Sequence, residues 1–189
     1  MQDIKITDTN LFEHDDEEKI LGEVQRHPFG IYTRIFGALF VIAIITGFGL
    51  LLSSNELSGD PLTAFNPDLS LTDYVPWVIF FFGGTIALGT AVSIYVYRNN
   101  YLVLTDQKLV FVRTHSVFSR SISQLSIGDV QDATIEQTSV FSRMFNFGTI
   151  KIETAGEMDN FSFHYAKDPV YTAKHIVDAH EENLKLYGN

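Results

Sequence analysis

Two uncharged apolar stretches, Ile35–Leu52 and Val75–Tyr97, constrain this 189-residue chain more than any other feature. Wound as helices they are about 27 and 35 Å long, against a hydrocarbon core of about 30 Å. Backbone amides in lipid must be satisfied within the segment, so each stretch predicts a transmembrane helix. Buried helices of small soluble domains seldom run so far without a charge. A secretory signal has a shorter apolar core and follows a basic leader, whereas the leader here is acidic. The stretches also explain a mean hydropathy of +0.09 in a chain of net charge −10. The expectation is a transmembrane hairpin over 35–97, with helices 35–52 and 75–97 and an external loop 53–74.

Basic residues set the orientation. Arg26 and Arg34 precede the first stretch, and Arg98, Lys108 and Arg113 follow the second. The loop between carries Glu56, Asp60, Asp68 and Asp73 and no Lys or Arg. The positive-inside rule then places both termini in the cytoplasm. Small residues recur at helical spacing: Ala43 and Gly47 in one stretch, Gly83, Ala87 and Ala91 in the other. Such faces let helix backbones approach closely, which predicts a tight hairpin through these positions. Small residues are also simply common in membrane helices.

Residues 1–34 form an acidic cytosolic tail. The run Glu13–Glu18, with His14 inside it, predicts a solvated charge run rather than a metal site, because neighbours in sequence do not converge on one ion. Ile20, Leu21 and Val24 lie at helical spacing and suggest a short helix, resting on the inner membrane surface or on the cytosolic domain.

Residues 98–189 switch to period two. Tyr101–Thr105 and Lys108–Arg113 are β-rich runs around Asp106-Gln107, a tight-hairpin signal. Further strand runs are 121–127, 130–137, 149–154 and 160–165, with a turn at 156–160. Phe161, Phe163 and Tyr165 alternate with polar residues, giving one buried face. Beyond Asp168-Pro169, a capping pair, Val170, Ala173, Ile176, Val177 and Leu184 share one helical face. Antiparallel strands closed by an amphipathic helix make an open barrel plugged by that helix.

Here the sequence resembles a known family. Asn99–Val110, Val117–Arg120, Leu125–Asp132 and above all Ser142–Gly156 are similar to the PH-like domains of YdbS-like bacterial membrane proteins. Arg26-His27-Pro28, ahead of paired apolar helices, fits the same pattern. One departure is His115-Ser116-Val117, where the family often has Gly. The resemblance implies an α+β protein with a membrane anchor: a two-helix hairpin followed by a pleckstrin-homology-like antiparallel β-barrel capped by a C-terminal α-helix. It implies no catalytic activity and no cofactor.

The residues exclude several functions directly. With no cysteine, the chain has no disulfide, thiolate metal site or thiol nucleophile. Its acidity, pI ≈ 4.9, disfavours nucleic acid. His115, His164, His175 and His180 form no ligand pair with Asp or Glu, and no nucleophile elbow is present. Residues 98–189 hold fewer basic than acidic side chains, so no polybasic footprint shows. Ser-Val-Phe-Ser-Arg occurs twice, at 116–120 and 139–143. Either Phe118 and Phe141 fill packing positions, with Arg120 and Arg143 at the surface, or both segments face the inner leaflet or a partner. Lys108, Arg120 and Arg143 are the candidate contacts with a membrane or partner. The expected function is a non-enzymatic interaction or scaffolding module at the cytosolic face of a bacterial plasma membrane. It would meet the bilayer and a protein partner or a second copy. Anionic-lipid sensing, or an accessory place in a transport complex, are the alternatives.

Overall fold

A computed structural model describes residues 18–53, 71–154 and 161–187. The run 13–17, most of the 53–74 loop and the turn at 156–160 lie outside the described residues. The chain divides into two units, Met1–Gly30 with Val96–Asn189, and Ile31–Tyr95.

Among the described residues, seven strands build the first unit. They are β1 (Ile20–Gln25), β2 (Tyr101–Thr105), β3 (Lys108–Ser116), β4 (Ser119–Ser126), β5 (Val130–Glu136), β6 (Phe147–Thr154) and β7 (Phe161–Lys167). One antiparallel sheet runs β1-β2-β3-β4 and a second runs β5-β6-β7. The barrel is not closed: β4 and β5 are joined by a short 3-10 turn, Ile127–Asp129, without pairing. The C-terminal helix α4 (Pro169–Tyr187) packs over that gap. His180 Nδ1 donates to the Ile127 carbonyl at 2.8 Å, and Asn183 Nδ2 to that of Asp106 at 3.1 Å. The buried face of α4 runs through Thr172, Ala173, Ile176 and Ala179. Small side chains let the helix sit close to the sheet. Val170, Val177 and Leu184, placed on the inner face from sequence, stand partly in the open at its flank.

The core lies between the sheets and α4. Leu102, Leu104, Leu109, Phe111, Ile150 and Ile152 alternate inward from three strands. Strand β2 is buried on both faces, because Tyr101 and Val103 pack with Val110 and Val112 on the outer side. Such a strand needs neighbours on both edges, and β1 supplies the second. Ile20, Val24 and Gln25 pair with Thr105, Leu102 and Tyr101. The spacing that suggested a helix at Ile20–Val24 is instead an extended strand with a bulge between Ile20 and Gly22, which breaks the alternation. The segment taken from sequence as a separate tail therefore completes the sheet.

Strand β7 also departs from simple alternation. Phe163 and Ala166 are buried, and Tyr165 turns outward with φ 59°. The ladder between β6 and β7 shifts register between Gly148 and Ile150. A bulge here reverses the side chains that follow it.

The second unit is helical. Helix α1 (Phe29–Ser53) and helix α2 (Leu71–Arg98) are longer than the apolar stretches at their ends. Both are long and apolar enough to cross a membrane, and almost none of either apolar window is buried inside the structure. The half-buried positions of α1 include Arg34, Ala38, Ile42 and Ile45, and those of α2 include Ile79, Gly83, Ile86 and Thr90. Steps of three and four make a narrow seam. Arg34 Nε donates to Ser93 Oγ across it at 2.9 Å. Close approach comes at Gly49, where an added Cβ would lie 3.1 Å from Val75. Of the small residues selected from sequence, only Gly83 lies on this seam. Ala43, Gly47, Ala87 and Ala91 are exposed, and a Cβ at Gly47 or Gly83 would touch nothing within 4 Å. Larger side chains hold most of the seam.

Deleting the chain up to Gln25 bares the β2 edge. Amide exchange at Tyr101–Thr105 should then accelerate about tenfold or more, with a smaller change at Ile150–Ile152. Unchanged exchange along β2 would contradict the β1–β2 pairing.

Candidate functional site

Strand order gives the barrel two distinguishable ends. At one, β1 runs out into α1 and the chain returns from α2 into β2. Glu136, Phe147 and Lys167 of the second sheet lie at this same end, through the isolated bridge of Arg26 to Ala166. It is called the junction end below.

Arg26-His27-Pro28-Phe29 organises it. The His27 amide donates to the Tyr165 carbonyl at 2.7 Å, made available by the outward turn of Tyr165. The Tyr97 hydroxyl donates to the His27 carbonyl at 2.7 Å. His27 Nδ1 accepts the Phe29 amide at 3.2 Å, so the side chain satisfies one free donor at the start of α1. The Arg26 guanidinium lies 5.3 Å from the Tyr97 ring centre and 5.7 Å from that of Phe163. Gly30 is required by contact: a Cβ there would fall 2.3 Å from the Tyr97 hydroxyl.

Aromatic rings extend this knot outward. Phe147 stacks between His27 and Tyr165, at 5.2 and 5.5 Å. Phe29 stacks on Phe147 at 4.9 Å and reaches Phe141 at 5.7 Å and Phe145 at 5.5 Å. Phe141 lies within the short helix α3 (Val140–Met144) and Phe145 caps its C-terminal end. A reciprocal capping box starts α3: Ser139 Oγ accepts the Ser142 amide at 3.0 Å, and Ser142 Oγ accepts the Ser139 amide at 3.1 Å. Asn146, at φ 51°, ends the segment, and its side chain donates to Asp168 Oδ1 at 2.6 Å. The first copy of Ser-Val-Phe-Ser-Arg forms the β3–β4 hairpin turn, with Ser116 paired to Ser119. One pentapeptide thus takes two conformations. Phe118 and Phe141 fill no core: both are exposed, Phe118 almost completely.

The candidate cations fall at different ends. Arg120 and Arg143 are at the junction end; Arg120 donates to the Tyr101 hydroxyl at 2.9 Å, and Arg143 is exposed. Lys108 is at the far end and pairs with the shielded carboxylate of Glu18 at 2.7 Å. Glu18 also accepts from the Thr105 hydroxyl at 2.5 Å. Lys108 therefore helps to secure the start of β1. Arg98 and Lys167 join Arg120 and Arg143 at the junction end, whereas Asp106, Asp129, Glu181 and Glu182 gather at the far end. Counting charges over the whole domain hid this polarity. The aromatic knot was also missed, although Arg26-His27-Pro28 marked its place.

A profile of the bacterial PH domain family matches residues 34–180. The chain belongs to the bacterial PH domain family. Among solved structures, a DUF1696 family protein with a pleckstrin-homology domain from Shewanella loihica PV-4 is similar at 15% identity, with a TM-score of 0.36. The match covers 43% of this chain and 70% of that one. No curated protein matches the sequence. In this bacterial PH domain protein the helical hairpin is inserted between the first two strands of the barrel, and the junction residues close the insertion point.

Burial, reinforced by Lys167 and opposed by Asp168, holds the His27 imidazole below its ordinary value. Burial also leads the lowering at His164, with Arg26, Arg113 and Lys151 adding to it. A lowered folded-state pKa means that the unfolded chain binds more protons once the pH drops below about 6.5. Stability contributed by these groups is full above that pH and declines below it, until the folded-state pKa is passed. Protonated Nδ1 also cannot accept the Phe29 amide. Replacing His27 by Asn should keep an acceptor and flatten the fall in melting temperature between pH 7.5 and 5.5, measured on the detergent-solubilised full chain. Gly30→Ala should lower stability at every pH, by about 1–3 kcal/mol, through overpacking against Tyr97. A wild-type melting curve for Gly30→Ala would exclude the close contact.

Proposed function

We propose that this chain is a membrane-anchored, non-enzymatic interaction module whose PH-like barrel is held at the cytosolic face of a bacterial plasma membrane. The observation that carries the reading is the insertion. Strands β1 and β2 pair along their length, yet the whole helical hairpin lies between them in the chain. Both roots of the anchor are thereby tied into one sheet. Large exposed side chains along the helices, among them Phe36, Phe40, Trp77 and Phe80, call for an apolar solvent. The basic residues flanking the hairpin support cytosolic termini. Kinship with YdbS-like proteins is part of the same proposal.

For the interaction itself, β4 is the favoured edge. It is eight residues long, pairs only with β3 among the described strands, and is largely exposed. An extended segment of a partner would add to it as a further strand. The ion pair of Lys108 with Glu18 argues against headgroup binding at the β2–β3 turn.

The absence of native cysteine makes the topology easy to test. In intact cells an impermeant maleimide should label Asn55→Cys and spare Glu182→Cys. The reverse pattern, or equal labelling, would overturn the orientation. A photo-crosslinking residue at Gln124 in native membranes should yield a discrete protein adduct. Adducts with lipid alone would remove the β4 interaction.

A further inference from the structure

The junction end carries two apolar tips that the fold leaves uncovered. The first is the β3–β4 turn. Tyr101, at the start of β2, pairs with Val112, but β3 continues to Ser116. The hairpin therefore outruns β2, alongside the link from α2, where the Thr114 amide donates to Asn100 Oδ1 at 2.9 Å. Its two turn residues are Val117 and Phe118, and Phe118 is 98% exposed. Tight turns favour Gly, Asn or Asp; an aromatic there contributes nothing to this barrel's core. The second tip is α3, whose Val140 and Met144 are 80% and 63% exposed.

Chain continuity identifies what covers them. Phe141 stacks on Phe29 and Phe145 lies tilted beside it, and Phe29 is the first residue of the apolar span of α1. In a bilayer that receives α1, those rings lie on the headgroup side of Arg34, just ahead of the uncharged stretch that starts at Ile35. The charge polarity is an independent observation. Arg98, Arg120, Arg143 and Lys167 lie at the junction end and outnumber Glu136 and Asp168 there, while at the far end Glu18, Asp106, Asp129, Glu181 and Glu182 outnumber Lys19, Lys108 and Lys185. Apolar side chains among cations suit the interface of an anionic leaflet.

We propose that the Phe118 turn and helix α3 insert into the boundary between headgroups and acyl chains, seating the junction end of the barrel on the leaflet from which α1 enters. The proposal rests on the anchored reading above. The two Ser-Val-Phe-Ser-Arg copies then do one job in two conformations: each offers a Phe to the acyl boundary and an Arg to the phosphates.

The test uses the full chain in phosphatidylcholine vesicles containing phosphatidylglycerol. Nitroxides are attached at Phe118→Cys, Val140→Cys and Met144→Cys, with Phe80→Cys as the lipid reference and Glu182→Cys as the water reference. At the three tip positions, collisions with oxygen should outweigh those with a water-soluble nickel chelate, as at Phe80, and the ratio should exceed that at Glu182 several-fold. Tip reporters that match Glu182 while Phe80 reports lipid would overturn the insertion and leave the anchor standing. Shielding of the tips from both probes would also overturn it, in favour of a protein covering them. Water contact at Phe80 itself would bring down the anchored reading and the insertion together.

Discussion

The pairing of β1 with β2 is the constraint on which the rest of the structure depends. Strand β2 is buried on both faces, so its free edge would leave a row of backbone donors and acceptors beside apolar surface. β1 covers that edge, and a polar clasp holds its start: Lys19 and Asp106 exchange two hydrogen bonds, at 3.0 and 3.1 Å, next to Glu18 and Lys108. The other end of β1 is held at His27, whose carbonyl accepts from the Tyr97 hydroxyl and whose amide donates to the Tyr165 carbonyl. Between these two clasps the strand has little room to slip.

Backbone strain collects where the hairpin leaves the barrel. Asn146, Tyr165 and Asp168 adopt positive φ, and all three lie at the junction end. Asn and Asp tolerate that region, but Tyr does not, and such a conformation costs about 1–3 kcal/mol. Tyr165 is kept there by His27 on its carbonyl and by Phe147 and Tyr97 around its ring. The strained residue is what links the second sheet to the roots of the hairpin.

Much of this was legible in the sequence, for identifiable reasons. Strands β2 to β7 carry β-rich runs, apolar throughout in β2 and alternating in β6, and their bounds fall within a few residues of those expected. Asp168-Pro169 marked the start of α4. What failed depended on distant partners. Ile20, Leu21 and Val24 fit a helical face as well as a bulged strand, and only β2 decides between them. Tyr165 belongs by pattern to the inner face until a bulge turns it out. Two identical pentapeptides fold differently, because one bridges paired strands and the other opens with its own capping box. The small residues Ala43 and Gly47 matched a packing rule, yet the seam runs past them to Gly49. Of the candidate site, Arg120 and Arg143 were found as isolated cations. Their neighbourhood required the register.

The position of the hairpin between two paired strands has a consequence for biogenesis. β1 is synthesised before either helix, and its partner only after both. With two crossings, β1 and β2 emerge on the same side of the bilayer and the sheet forms. With one crossing they are on opposite sides, and the β2 edge stays bare. If the two helices cross a bilayer as proposed, completion of the barrel tests the parity of their insertion. A chain threaded wrongly is left with an open, apolar strand edge, the kind of surface that quality-control proteases and chaperones recognise.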